Sequence, residues 1–531
     1  MSSAQGKPTP AQALDLRLRR GSGVDAVMGP IAIAADDVAS HVTAHRWDAS
    51  LRQQWLEALS SHWQELPLSA GSASALEKLK DPACHIVMAG QQPALCGGPL
   101  LSTVKLLAAT ALASDLERRG IPVVTLFWVA DEDHDVGELN PGHFRNGQPM
   151  EMPFDRGQRP ISDLRHPSSE RERMQQIEAC LAGAPHAPEV RALLENAIDP
   201  SPSREFCQVL WSLLPEESWL PVFPHWLRQL QAPWIRRASD ESEIFQELIL
   251  KASREQESLG IPSPVAPRKG APFFCFADEG QRVRPEQLAA AEAENLLADP
   301  QRLSADALLR GIIQDAIFEP SVVIHGATEW CYNLQTRLVR QQWKIPQPLW
   351  LPRPGLRPLE VEMVESLAEL GIGVEGLSAD LDLTQAIPSN RGELKRRELD
   401  HAAEDLLKRI EELSRESSSN PALQRKARRM LELWKQQLER LGTAIDHGLD
   451  LEVEAKRNRV RQMLSQAFPG GTEPERSRNL CDLLAWHGPE MVEKMAQSVS
   501  ASISRWDGRI SALLLPALNP MCEPENPDDS Q

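Results

Sequence analysis

The sequence predicts an α/β protein: a parallel-sheet core, interrupted by a mostly helical insertion and followed by a coiled-coil hairpin of two long helices. Three observations carry that prediction. Two continuous apolar runs, residues 86–89 and 123–130, flank one amphipathic helix. A second alternation of helix and strand starts near residue 301, and two apolar series at heptad spacing lie either side of the polar segment SRESSSNP.

From His85 the chain reads HIVMAG, QQPALCG, GPLLSTVKLLAATALASDLERRG and IPVVTLFWVADEDHD, which is strand, loop, helix, strand. Pro99 stands where a first helical residue belongs and Gly120 where a left-handed C-terminal residue belongs. Between them Leu100, Val104, Leu107 and Ala111 form one stripe. Strands that are apolar throughout are those of parallel sheets covered on both faces, so this is a right-handed βαβ unit. Residues 171–181, 189–197 and 240–250 read as helices among Pro-rich joints such as PSPVAPRKGAPFF. A helix over residues 305–318 follows the candidate N-cap Ser304, the strand SVVIHG ends at Gly326, a helix takes over near Glu329, and PLWLPRPG is one more strand ending in a turn. Leu399, Ala403, Leu406, Ile410 and Leu413, then Leu431, Trp434, Leu438, Leu441 and Ile445, give two helices folded back on each other. Residues 1–150 and 301–390 are thus expected to form two parts of the core, and 151–300 an inserted connecting subdomain. Residues 391–466 would form the antiparallel hairpin, and 467–531 a helical segment with an acidic tail. A narrow-striped hairpin has little core of its own and is expected to pack on a partner as well.

Composition narrows the function. With 57 Lys+Arg against 75 Asp+Glu the net charge is −18, which disfavours nucleic acid as a partner. The eight cysteines include no C-x-x-C pair, so neither a zinc ribbon nor a dithiol motif is written, and reduced thiols in a cytoplasmic chain are expected. The N-terminal residues lack an apolar leader core and no window suits a membrane span.

Two constellations can carry chemistry. The loop GQQPALCGGP leads into a helix N-terminus, where free N–H groups and the helix dipole favour an anion. Gly97 and Gly98 would admit a ligand to the backbone, and Lys105 could lean back toward a phosphate. The plainer reading is a turn and a surface lysine, since no G-x-G-x-x-G or Walker pattern is present. The second constellation is DEDHD, Asp131 to Asp135, at the end of a strand. Four carboxylates and one imidazole repel unless a Mg2+, an amine or a lysine offsets them, and His134 or a carboxylate could serve as general base. The plainer reading is a solvated loop capping a helix. Gln314, Asp315, His325, Gly326 and Glu329 bring a polar set to the second α/β stretch, whereas the 14 tryptophans read as packing.

These residues resemble the BshC family, the cysteine ligases of bacillithiol biosynthesis, in which a GQQ…TGPL…K segment precedes a strand ending x-E-D-H-D. FFCFADEGQRVR, LLRGIIQDAIFEPSVVIHGATEWCYNLQ, PLWLPRPG and FPGGTEPERSRNL continue the similarity in order. The resemblance implies a Rossmann-like core of the class I aminoacyl-tRNA synthetase type and a coiled coil used for homodimerisation. It also implies a reaction joining the carboxyl of cysteine to the amine of glucosaminyl-malate. Gly90, Gln91, Gln92, Gly98, Pro99, Lys105, Glu132, Asp133, His134, Asp135, Gln314, Asp315, Glu329, Tyr332 and Arg353 match the family pattern. Gly97 stands for the family's threonine, Leu101 for its aromatic residue, and HGATE (325–329) for Gly-Gly-Pro-Gly-Glu, a loss of two permissive glycines that bears on substrate choice and activity. On this reading Glu132, Asp133, His134 and Asp135 are catalytic. Gly90, Gln91, Gln92, Gly97, Gly98, Lys105, Gln314, Asp315, Gly326, Glu329, Tyr332 and Arg353 bind nucleotide or substrate. ATP is the co-substrate, with Mg2+ a candidate companion, and no KMSKS-like loop is visible. The alternatives are a non-catalytic nucleotide-binding scaffold built on the coiled coil and, more weakly, metal-dependent hydrolysis at DEDHD.

Overall fold

Strands of the core are apolar on both faces because helices cover both. The computed structural model describes residues 35–515, except 146, 149, 151–153, 155–156, 158, 370, 374–376, 379–380, 384–386, 388–389, 417–420 and 504–509. The acidic tail and residues 417–420 of the hairpin turn therefore lie outside the described residues.

In chain order, α1 (Ala35–Ala44), α2 (Ala49–Gln64) and α3 (Ala70–Lys78) precede β1 (His85–Gln91), α4 (Leu100–Arg118) and β2 (Val123–Val129). Next come α5 (Glu170–Leu181), α6 (Ala187–Asn196), α7 (Pro202–Leu213), β3 (Trp219–Val222), α8 (Arg228–Asp240) and α9 (Ser242–Ser258). A small antiparallel sheet follows, made of β4 (Phe273–Phe276), β5 (Arg282–Val283) and β6 (Leu303–Ala305), with α10 (Ala290–Ala298) before its last strand. The second α/β stretch is α11 (Ala307–Phe318), β7 (Val322–His325), α12 (Ala327–Gln335), α13 (Arg337–Trp343), β8 (Leu349–Pro352) and β9 (Gly355–Glu360). Then come α14 (Val361–Glu369), α15 (Asn390–Glu416), α16 (Pro421–Ala467), α17 (Pro474–Ser477), α18 (Leu480–His487), α19 (Met491–Ile503) and β10 (Ile510–Leu515), which pairs β9 in parallel.

The main sheet is five-stranded and parallel, in the order β3-β2-β1-β7-β8. It is a Rossmann-like α/β core, and its strand order reverses between β1 and β7, where such sheets open a crevice at the carboxyl ends of their strands. Side chains alternate across it. Val87 and Ala89 join Phe127, Val129 and Ile324 on the face covered by α4, whereas Ile86 and Met88 join Leu126, Trp128 and Val323 on the face covered by α2, α8 and α11. This alternation between two filled cores is the reason β1 and β2 carry no polar stripe. The stretch 151–300 is woven into the same body, since it supplies the edge strand β3.

Two helix starts differ from the sequence reading. Pro99, at φ −64 and ψ 149, is the N-cap of α4 rather than its first helical residue. Ser304 and Ala305 are held in β6 against Phe274 and Phe273, so α11 starts later, with Asp306 as N-cap accepting the Leu308 and Leu309 N–H groups. The seven described cysteines are free and buried, and no described helix is long and apolar enough to cross a membrane.

Two compact units are formed: the described residues of Met1–Glu360 with Pro474–Gln531, and Val361–Glu473. In the second, α15 and α16 run antiparallel, as Arg396 reaches Glu439 and Asp446 while Arg457 reaches the Ile387 carbonyl. The seam departs from the expected heptads. Leu399, Ala403, Leu407 and Ile410 face inward on α15, and Leu431, Leu438 and Ile445 on α16, whereas Leu406, Trp434 and Leu441 are exposed. Leu406 and Leu407 adjoin, and only the partner helix selects between them.

Candidate functional site at the sheet crossover

β1 ends in Gly90-Gln91-Gln92 beside the crossover. A Cβ on Gly90 would lie 2.9 Å from both the Cβ and the carbonyl oxygen of Trp128, so only glycine lets β1 and β2 approach here. Lys105 of α4 is 1% exposed. It is no surface lysine: its Nζ donates to the Gly90 carbonyl (2.5 Å), Gln91 Oε1 (3.0 Å) and Glu329 Oε2 (2.7 Å). Glu329 Oε2 also accepts the Gly326 N–H at 2.7 Å. Burial lifts the Glu329 carboxyl, but Lys105 and His325 outweigh it and hold it at about 2. Lys105 and Glu329 thus clasp β1, α4 and α12 across the crossover, and the lysine's donors are engaged by the protein itself.

The glycine loop serves a close approach of chain to chain. Gly97 and Gly98 have φ of +72 and +69, and Gly97 faces Val209 and Leu480. The Leu100 N–H at the start of α4 donates to the Arg478 carbonyl (3.2 Å), and the Leu480 N–H to the Gly98 carbonyl (3.1 Å). Asn479 Nδ2 donates to the Pro141 carbonyl (2.7 Å). The anion expected at this helix start is met by backbone carbonyl oxygen instead.

The DEDHD turn follows β2, and the segment after β3, its parallel neighbour, brings cations to the same edge. His225 Nδ1 lies 3.2 Å from Asp131 Oδ2, and Arg228 Nε donates to Glu132 Oε1 at 2.7 Å. Arg282 of β5 completes the set: its Nη1 donates to Asp133 Oδ1 (3.4 Å) and to His134 Nδ1 (3.2 Å), while its guanidinium stacks 3.9 Å from the Phe274 ring. The charge was expected to be offset by a metal, an amine or a lysine; His225, Arg228 and Arg282 offset it instead. Burial raises the Asp133 carboxyl, yet Arg282 and Arg310 bring it below the usual carboxylate range. Asp135 is exposed and caps the short turn after it by accepting the Gly137 N–H at 2.9 Å. Glu138, in that turn, is pushed up to about 7 by desolvation and by Asp133 and Asp135. With each inner carboxylate facing a cation, and with no described group of three His, Cys, Asp or Glu placed to hold a metal, the turn does not fit a protein-held Mg2+.

At the crossover lies a cavity of about 40 Å3 walled by Gln91, Gln92, Ala130, Arg310, Gln314, His325, Glu329 and Tyr332; on the DEDHD side it reaches Ala130, just before the turn. Of the candidate residues, Gly90, Gln91, Gln92, Gln314, Glu329 and Tyr332 meet here. Asp315 turns away and pairs with Arg340 of α13, both 2% exposed in their side chains. Arg353 pairs through both terminal nitrogens with Glu475 of α17. Gly326, the N-cap of α12, has φ −68, His325 belongs to β7 and Thr328 to α12, so this loop asks for no positive φ where the family glycines are lost. Sequence reasoning missed His225, Arg228, Glu138, Arg282, Arg310 and Glu475. Arg282, Arg310 and Glu475 lie within segments quoted for the resemblance, but nothing local marks them as partners of the turn or the cavity.

Comparison with known proteins agrees with this fold. The family described as "Bacillithiol biosynthesis BshC, N-terminal Rossmann-like domain" matches residues 34–354. The "Putative cysteine ligase BshC" of Bacillus cytotoxicus is 24% identical over 486 residues, 86% of this chain and 89% of the relative. Proteins of the same name from Chlorobaculum tepidum (23% over 491 residues, 84% of this chain and 86% of the relative) and Solibacter usitatus (26% over 320 residues, 56% and 60%) are also similar. A family match over more than half of the chain, laid on the very sheet whose neighbouring strands β1 and β2 lead into the GQQ and DEDHD segments, makes this chain a member of the BshC family of bacillithiol biosynthesis.

Proposed function

We propose that the chain joins the carboxyl group of cysteine to the amine of glucosaminyl-malate, giving bacillithiol, with ATP activating the carboxyl. The observation that carries this reading is a small polar cavity at the β1–β7 crossover whose wall includes Ala130, the residue that leads into the charge-balanced turn (132–135). A free carboxylate resists attack by an amine, so it is first converted to an anhydride with phosphate or nucleotide. The amine nitrogen then bonds to the carbonyl carbon, the phosphate-bearing group leaves with the bonding pair, and a base takes the nitrogen's proton. Glu138 suits that role, being poised near neutral pH. His134 accepts from Arg282 at Nδ1, which places the ring proton on Nε2, free to donate toward a substrate oxygen.

Purified protein supplied with cysteine, glucosaminyl-malate and ATP is expected to release bacillithiol, detected by mass after thiol trapping, and E138Q to slow that release by about 100-fold. Correctly folded protein that yields none defeats the reading. Two copies would associate through the hairpin: Leu423, Met430, Trp434 and Leu441 form one stripe along α16, each between 41% and 50% exposed. Light scattering should then report a dimer that W434E/L441E converts to monomer.

A further inference from the structure

The cations around the crossover are almost all matched. Lys105 has Glu329, Arg228 has Glu132, Arg282 has Asp133, Arg340 has Asp315 and Arg353 has Glu475. Arg310 of α11 differs. Among the described residues no carboxylate lies within ion-pair distance of it, and Tyr332 stands beside it in the cavity wall. Asp133, Glu329 and Glu138 act on it from farther away, the first two already holding cations of their own. The neighbouring amides are largely spent: Gln314 Nε2 donates to Asp315, Asn333 Nδ2 to the Glu329 carbonyl and Gln91 Nε2 to Gln92. The cavity wall therefore presents one guanidinium without an ion pair and, beside it, a phenol with a proton to donate.

A half-buried guanidinium in a cavity wall, with no carboxylate at ion-pair distance, is available to an anion from outside the chain. We infer that Arg310, assisted by Tyr332, receives a carboxylate of the substrate in the cavity between β1 and β7. A guanidinium fork matches the two oxygens of a carboxylate, and a space of about 40 Å3 takes such a head group but not a nucleotide, whose pockets run to several hundred Å3. Resting on the reaction proposed above, the choice between its carboxylates follows from their fates. The carboxyl of cysteine loses its charge when activated, whereas those of the malate moiety stay anionic from binding to product. A permanent cation belongs with the permanent anion, so Arg310 holds malate.

Titration calorimetry of the full chain with L-malate, without ATP or cysteine, tests this apart from any turnover. Wild type should bind malate, R310K should bind about 10-fold more weakly, R310M about 100-fold, and the neutral diamide of malate should not bind. In the complete assay R310K should raise KM for glucosaminyl-malate while leaving KM for cysteine within about two-fold, a split that general misfolding would not give. Malate binding unchanged in R310M, no malate binding by wild type, or inorganic phosphate displacing malate at equal concentration would each overturn the assignment. Malate binding that requires Arg310 in a protein that makes no bacillithiol would sink the ligase reading and keep the carboxylate site.

Discussion

At the scale of single residues, the site is built from charges that answer one another. The Lys105–Glu329 clasp ties β1 to α12 with a lysine almost wholly out of solvent. K105M leaves Glu329 without its cation and should cost about 3 kcal/mol in urea unfolding, with K105M/E329Q recovering part of it. Recovery within error of zero would mean that the clasp is only packing. Glu138 gives a pH prediction. Its folded value is raised to about 7, so below that pH it holds a proton and cannot accept another. Under the proposed reaction kcat/KM should rise as pH climbs through about 7, and E138Q should flatten that limb.

At the scale of elements, the meeting of parallel strand ends makes the site. β2 leads into acids and its neighbour β3 leads into His225 and then Arg228 at the start of α8, and the parallel register sets them side by side. That closeness begins at Gly90, where an added methyl would press on Trp128. G90A should therefore lower stability by about 1 to 3 kcal/mol, and it should disturb the Gly90 carbonyl that receives Lys105. An unchanged melting temperature would show that β1 can yield without loss. The helix starts were legible only in part. Gly120 stood out as a left-handed C-terminal residue and does adopt φ +80, but Ser304 proved less decisive than Asp306 because strand pairing had already claimed it. The hairpin's stripe was legible as a period and not as a face, since Leu406 and Leu407 fit it about equally well until α16 lies alongside.

At the scale of the whole molecule, packing both faces of the sheet buries histidines in their neutral form. His85, His166 and His325 are each lowered from 6.5 to about 4, chiefly by burial. The unfolded chain takes these protons near 6.5 and the folded chain only near 4, so the stability they confer is present above 6.5 and lost as pH falls toward 4. Urea unfolding at pH 7 and pH 5 should differ in that direction, by on the order of 1 kcal/mol per histidine after solvent screening, and H325Q should narrow the gap. A gap unaltered in H325Q would assign the acid lability to other groups.

By itself the sequence determined the local elements and their order: the apolar strands, the helix between them, the second α/β stretch, and the two segments, GQQ and DEDHD, at the ends of neighbouring parallel strands. Those follow from periodicity and from residues within reach of one another along the chain. The tertiary structure decided who answers whom. Arg228 meets Glu132 across 96 positions, Arg282 meets Asp133 across 149, and Arg353 meets Glu475 across 122. It also decided that Lys105 is held by Glu329, that Asp315 faces away, and that Arg310 stands unmatched at the cavity. A local pattern fixes which face of an element is apolar, but the partner of a buried charge is set by the crossing of elements remote in sequence, and no spacing within either one encodes that meeting.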